Sequence, residues 1–283
     1  MKRIIHLITV LSCFLIVVLS CKSDEGVGPS QINTDTPLLS ELDIWLRENF
    51  IEPYNIEIQY KWNENEVDLN RYLYPPTEAN VKPLMEVVLA VWVEPYIQLG
   101  GEDFIKTIAP RQFTLVGGFN FNPSGTITLG LAEAGTKITL FNVDQLDLTD
   151  LALTKQYFQT IQHEYGHILN QAKPYDPAYG EINPEDYTAQ WFNRSDATAR
   201  ELGYITAYAS SSESEDFVEM IATMLTNSKA EFDAIVNGIT STEAQGVIRQ
   251  KEQIVVSYFS TEFGIDLYEL QEVVNQNTLN VIN

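Results

Sequence analysis

Apolar residues recur at three- and four-residue steps in some stretches of the chain and at two-residue steps in others. Leu38, Leu39, Leu42, Trp45, Leu46 and Phe50 fall on one stripe, so the spacing predicts an amphipathic helix over residues 37–50 with Pro37 at its start. Ile56, Ile58 and Tyr60 alternate with polar neighbours and predict a half-buried strand over 55–62. A second helix, 81–99, carries Leu84, Val87, Val88, Val91 and Trp92, and a short one follows over 102–108. Three strand-like runs come next, 112–116, 126–131 and 137–142, separated by Gly, Asn and Pro. The intervening Gly117-Gly118-Phe119-Asn120 reads as a turn, because no helix with Lys and Ser/Thr follows to make a phosphate cradle.

The longest helical pattern runs from Leu151, with Asp150 as its cap, to about Ala172, where Pro174 disfavours continuation. Steps of 100° put Thr160, His163, His167 and Asn170 on one side and Phe158, Ile161, Tyr165, Ile168 and Leu169 on the other. The apolar side is expected to be buried and the histidine side to line a cleft. Gly166 costs about 1 kcal/mol of helix propensity relative to Ala, which points to close backbone packing beside the histidines. A Pro-, Gly- and aromatic-rich stretch follows, with Tyr175, Tyr179, Tyr187, Trp191 and Phe192, and is expected to form a wall beside the cleft. Another helix is predicted over 211–227 from Phe217, Met220, Ile221, Met224 and Leu225. Residues 228–283 read as two or three amphipathic helices without evident chemistry, a cap on the preceding domain or a partner surface.

Lys2 and Arg3 precede an apolar run over residues 4–19, the charged-then-hydrophobic order of a secretory leader. Its 16 residues fall short of the roughly 20 that a spanning helix needs. Val18-Leu19-Ser20-Cys21 resembles a bacterial lipobox, so residues 1–20 are expected to be removed and Cys21 lipidated. Residues 21–36 have the composition of a flexible tether, and Lys22-Ser23-Asp24-Glu25 is similar to the acidic signal that sends Bacteroidetes lipoproteins to the outer face of the outer membrane. Residues 37–283 then form one large domain, with the C-terminal helices beginning near 228. Without Lys2 and Arg3 the chain has 15 basic side chains against 39 acidic, a net charge of −24, which argues against nucleic acid and anionic headgroups as partners.

The chain contains three histidines, and His6 lies in the leader. The other two form His163-Glu164-Tyr165-Gly166-His167, the H-E-x-x-H pattern of zinc proteases, on the long helix. Two imidazoles four residues apart lie about 5 to 6 Å apart at Cβ and can reach one metal ion. A catalytic zinc takes three protein ligands and one open position. Cys13 belongs to the leader and Cys21 to the anchor, so the third ligand has to be a carboxylate. On the 211–227 helix Glu215 and Glu219 share a face, and Asp216 and, less so, Glu213 also offer a carboxylate. The oxyanion of a peptide-cleaving reaction also needs a donor that is not histidine, for which Tyr208, Arg194 and Arg200 are candidates.

Tyr208, Glu215 seven residues on and Glu219 four further resemble the second half of the active site in anthrax lethal-factor-type zinc proteases. With its leader, the chain is similar over most of its mature length to the zinc-binding metallopeptidase lipoproteins of Bacteroidetes, often associated with polysaccharide-uptake systems. The resemblance implies an α+β, zincin-like fold: a small mixed sheet beside the H-E-x-x-H helix and a helical C-terminal part. It implies zinc held by His163, His167 and Glu215, Glu164 as general base, Tyr208 supporting the transition state, and Glu219 orienting a ligand histidine. The expected activity is peptide hydrolysis, endopeptidase in type, by a lipid-anchored protein of the outer membrane, with an outer strand, 126–131 or 137–142, pairing with the substrate. The competing reading is a non-catalytic, metal-containing accessory lipoprotein of a polysaccharide-uptake system. An intact Glu164 favours the enzyme, because a structural metal site has no need of a base.

Overall fold

The first helix begins at Ser40 rather than Pro37. Ser40 Oγ accepts the Asp43 N–H while the Asp43 carboxylate accepts the Ser40 N–H, a reciprocal cap that starts α1 (Glu41–Leu46) and leaves Leu38 and Leu39 outside it. The computed structural model describes residues 38–133 and 135–282. The leader, Cys21 and the tether to residue 36 lie outside the described residues.

α1 continues through a π turn, Arg47–Ile51, into Glu52–Tyr54. Glu52 N–H reaches back to Arg47 C=O, and the widened turn gives room to Pro53, whose ring would crowd a regular helical carbonyl. The device recurs where α2 (Glu78–Val88) passes through Leu89–Val93 into α3 (Glu94–Gly100), with Pro95 next to the wide turn. A single helix predicted over 81–99 is thus three consecutive helical segments. α4 (Asp103–Ile108) follows.

The strand over 55–62 shrinks to β1 (Glu57–Gln59), the three residues that find a partner. β2 (Gln112–Leu115) pairs in parallel with β1 and with the later β6 (Lys137–Leu140). The run 126–131 divides. β3 (Asn120–Phe121) and β4 (Ile127–Thr128) form a separate antiparallel hairpin, and β5 (Gly130–Glu133) pairs antiparallel with β6. The sheet order β1-β2-β6-β5 puts β5 on the outer edge and β6 inside, so 137–142 cannot be the outer strand. Burial explains this: Ile138, Thr139 and Leu140 are covered on both faces, as an internal strand requires, whereas β5 alternates between half-buried and exposed. The sheet is small and mixed, as expected of a zincin.

α5 (Leu151–Ala172) carries the H-E-x-x-H segment and is capped by Asp150, whose carboxylate accepts the Leu153 N–H. Its apolar side is buried as the wheel requires, and Tyr165 meets Trp92 and Tyr96 edge-on with ring centroids 5.0 and 4.9 Å away. The short α6 (Asp196–Arg200) follows the aromatic wall, and α7 (Glu213–Thr226), capped by Ser212, packs along α5. A Cβ on Gly166 would lie 3.1 Å from Val218 Cβ and Cγ1, so the glycine allows the two backbones to approach beside the histidines. Three helices close the chain: α8 (Lys229–Asn237), α9 (Thr242–Tyr258), extended by a π turn over Phe259–Phe263, and α10 (Leu267–Val281). The described residues from Ser40 onward form one compact unit, and among the described residues no helix is long and apolar enough to cross a membrane.

Candidate metal centre

α5 and α7 bring together side chains 48 or more positions apart in sequence. His163 Nε2 lies 3.1 Å and His167 Nε2 3.3 Å from Glu215 Oε2, and one ligand atom from each residue lies within 4.8 Å of the others. Neither short contact has hydrogen-bond geometry, and Glu215 Oε2 has no hydrogen-bond partner although it is buried. Burial should not leave a carboxylate oxygen in that condition. Two imidazole nitrogens and one carboxylate oxygen form a donor set that suits zinc, with a fourth position open.

On its other side His163 Nδ1 sits 2.7 Å from Glu219 Oε1. Donating that N–H leaves the Nε2 lone pair for the centre. Glu219 is itself fixed: its Oε2 accepts the Thr206 hydroxyl at 2.6 Å and the Gln159 amide at 3.4 Å. Burial pulls the His163 pKa down, but the adjacent Glu215 and Glu219 outweigh it and, among the protein's own groups, hold it at about 10. Burial raises the Glu215 carboxyl, yet the two imidazoles overcome this and keep it well below the usual carboxylate range.

Glu164 is 6% exposed, and burial pushes its pKa up against the neighbouring imidazoles. It lies under the edge strand, where the Ala132 N–H bonds its carboxylate. A Cβ on Gly130 would come 2.8 Å from Glu164 Oε1 and 2.6 Å from Thr160 Cγ2, so only glycine lets β5 run this close. Tyr208 lies over His163, ring centroids 5.6 Å apart and planes 24° apart, and is backed by Trp191 at 4.8 Å. Burial, then the charge of Glu215, raises its pKa and keeps the phenol protonated. A cleft of about 600 Å³ opens over His163, Glu164 and Tyr208, between the β3–β4 hairpin and Trp191-Phe192.

Of the other candidates, Asp216 faces away from the histidines, fully buried against Lys251, Tyr179 and Tyr187. Burial raises its pKa to about 6 despite the lysine. Glu213 is exposed and accepts the Tyr175 hydroxyl. Arg194 and Arg200 donate to the backbone carbonyls of Asp186 and Ile205 and do not line the cleft. Sequence reasoning missed Thr206 and Gln159, which carry no motif. It also missed Lys251, for which there was a signal: the residue stands on the apolar stripe of α9 between Ile248 and Val255.

A sequence model of a family described as "Putative zinc-binding metallo-peptidase" matches residues 36–268. No curated protein matches the chain. A solved structure from Bacteroides caccae, given the same description, is 35% identical and superposes with a TM-score of 0.71, covering 85% of this chain and 92% of that one. With the family model spanning most of its length, the chain belongs to this zinc-binding metallopeptidase family, and zinc is its cofactor.

Proposed function

We propose that the chain is a lipid-anchored zinc endopeptidase of the cell envelope, with His163, His167 and Glu215 holding the metal. The carrying observation is the buried meeting of two imidazole nitrogens with an otherwise unpartnered carboxylate oxygen. When bound, zinc lowers the pKa of a coordinated water to about 7 and polarises the carbonyl under attack. Glu164 accepts the proton of the attacking water and passes it to the departing amine; burial, by raising its pKa, makes it a stronger base. Tyr208, held protonated, donates to the developing oxyanion. Glu219 keeps the His163 ring turned so that Nε2 faces the centre.

β5 is the exposed sheet edge next to Glu164, which supports binding of an extended peptide by strand addition. Among the described residues the cleft is lined by no Lys or Arg that would take a terminal carboxylate, which argues against carboxypeptidase action. The lipid on Cys21 would place the enzyme at the outer membrane, at its outer face by the acidic signal, where components of a polysaccharide-uptake system are candidate partners.

Purified protein is expected to carry about one zinc and to cleave a peptide library, and Glu164→Gln to keep the zinc while losing about 10²–10⁴-fold in turnover. Unchanged cleavage by that variant would sink the mechanism. Zinc without cleavage in the wild type would favour the accessory-lipoprotein reading. Membrane fractionation of the wild type against Cys21→Ala tests the anchor.

A further inference from the structure

The first turn of α7, which carries Glu215 toward α5, carries a second charged cluster on its α9 side. Lys251 and Asp216 are both 0% exposed, with Nζ 2.5 Å from Asp216 Oδ2. The Tyr187 hydroxyl donates to the same oxygen at 2.9 Å, and the Tyr179 hydroxyl lies 3.0 Å from the Asp216 backbone carbonyl and 3.3 Å from Oδ1. The ammonium also donates to Gly203 C=O at 3.0 Å and stands 4.3 Å from the centre of the Tyr204 ring. One lysine of the C-terminal helices is therefore tied both to α7 at the residue after Glu215 and to the segment that leads to Thr206 and Tyr208.

A buried ion pair is weak evidence for stability, since apolar residues of similar volume often replace one at no loss. Its better attested use is to fix geometry. Here there is geometry to fix. Glu215 stands in the first turn of α7, where its backbone N–H has only a long 3.4 Å bond to Ser212 Oγ, yet its carboxylate must meet two imidazoles. Helix ends fray unless something outside the helix holds them. Asp216, one residue on and turned about 100° around the axis, is gripped by Lys251, Tyr179 and Tyr187 and sets the rotation of that turn.

We propose that Lys251 is a positioning residue of the metal site: through Asp216 it fixes the turn that aims Glu215, and through Gly203 it restrains the segment bearing Thr206 and Tyr208. This rests on the reading that His163, His167 and Glu215 bind the metal. Lys251→Met alone strands a buried carboxylate, so the variant to use is Lys251→Met with Asp216→Asn, which removes both charges and keeps the shapes. Zinc affinity by chelator competition, thermal melting and the absorption spectrum of the cobalt-loaded protein are then measured on the full chain. The expected result is a melting temperature within a few degrees of wild type, zinc binding weakened about tenfold or more, and a changed cobalt spectrum at saturation. A purely stabilising pair would leave that spectrum unmoved; wild-type affinity with a superimposable spectrum overturns the proposal. Should the double variant not fold, Tyr187→Phe deletes one bond to Asp216 without altering charge, and unchanged zinc affinity and cobalt spectrum there overturn it equally. Wild-type protein that binds neither zinc nor cobalt would instead defeat the metal-site reading, and the proposal with it.

Discussion

Two clusters of buried charge flank the first turn of α7, and they differ in whether their hydrogen bonds close. On the α9 side every charge has a partner: Asp216 takes Lys251 and two tyrosine hydroxyls, and Lys251 takes Asp216 and a carbonyl. On the α5 side three ligand atoms converge, and the carboxylate oxygen among them is left without a hydrogen bond. Glu215 and Asp216 are consecutive acids of similar chemistry, so residue type does not separate them. The closed cluster is complete with protein atoms alone, whereas the open one is the cluster that the proposed zinc would complete.

The largest effects come from breaking each cluster in turn. Glu215→Ala is expected to abolish stoichiometric zinc binding at a smaller cost to the chelator-treated fold than Asp216→Ala, because Glu219 still pairs with His163 and the Glu215 side chain is one fifth exposed. Asp216→Ala is expected to do the reverse to the fold, costing about 3–5 kcal/mol in denaturant unfolding by stranding the Lys251 ammonium. If Asp216→Ala lost zinc without losing stability, or Glu215→Ala lost stability without losing zinc, the roles of the two flanks would have to be exchanged. Next in size is Tyr208→Phe, which keeps the ring over His163 and removes only the hydroxyl. It is expected to lower kcat by about 10²–10³ with zinc affinity unchanged, the signature of a donor that acts on the transition state.

Much of the open cluster was legible in the sequence, and little of the closed one. The limits of α5, its Asp150 cap and its buried face follow from a long periodic pattern with clear punctuation. The expectation of a carboxylate beside His163 and His167 follows from the absence of any other histidine and of any cysteine after Cys21. Strand placement did not follow: whether 126–131 or 137–142 is the edge depends on pairing between distant segments, and the first of them divided between two sheets. Lys251 was hidden for a related reason. A lysine on an amphipathic helix usually reaches solvent, and only tertiary packing puts its nitrogen against an aspartate 35 positions away.

A smaller effect separates the flanks by their response to pH. With His163 held at about 10 among the protein's own groups, the chelator-treated site carries a proton on that ring at neutral pH. Zinc and that proton compete, so zinc binding is expected to release about one proton at pH 7 and to weaken about tenfold for each unit that pH falls below the His163 value. Calorimetry in buffers of different ionisation enthalpy counts the proton. No release would mean that His163 is already neutral and that the carboxylates do not hold it as described.

The smallest perturbation acts where the two helices touch. Gly166→Ala adds one methyl at 3.1 Å from Val218 Cβ and Cγ1, closer than carbon atoms normally pack. Val218 is branched at Cβ and stiff about χ1, so it cannot swing aside as a longer chain would. α7 must therefore move by a few tenths of an ångström or accept strain, and a cost of about 1–3 kcal/mol is expected despite the gain in helix propensity from alanine. The displacement would carry Glu215 away from His163 and His167, because all three ride on the same pair of helices. Zinc affinity should accordingly fall along with stability. Val218→Ala in the same chain removes Cγ1, leaves Cβ and frees the side chain of its branch, so it should recover part of both losses, giving a coupling energy outside the few tenths seen for independent sites. Stability restored without zinc affinity would show that the helix spacing at Gly166 and the aim of Glu215 are set separately, which would put more of that aim on Asp216 and Lys251.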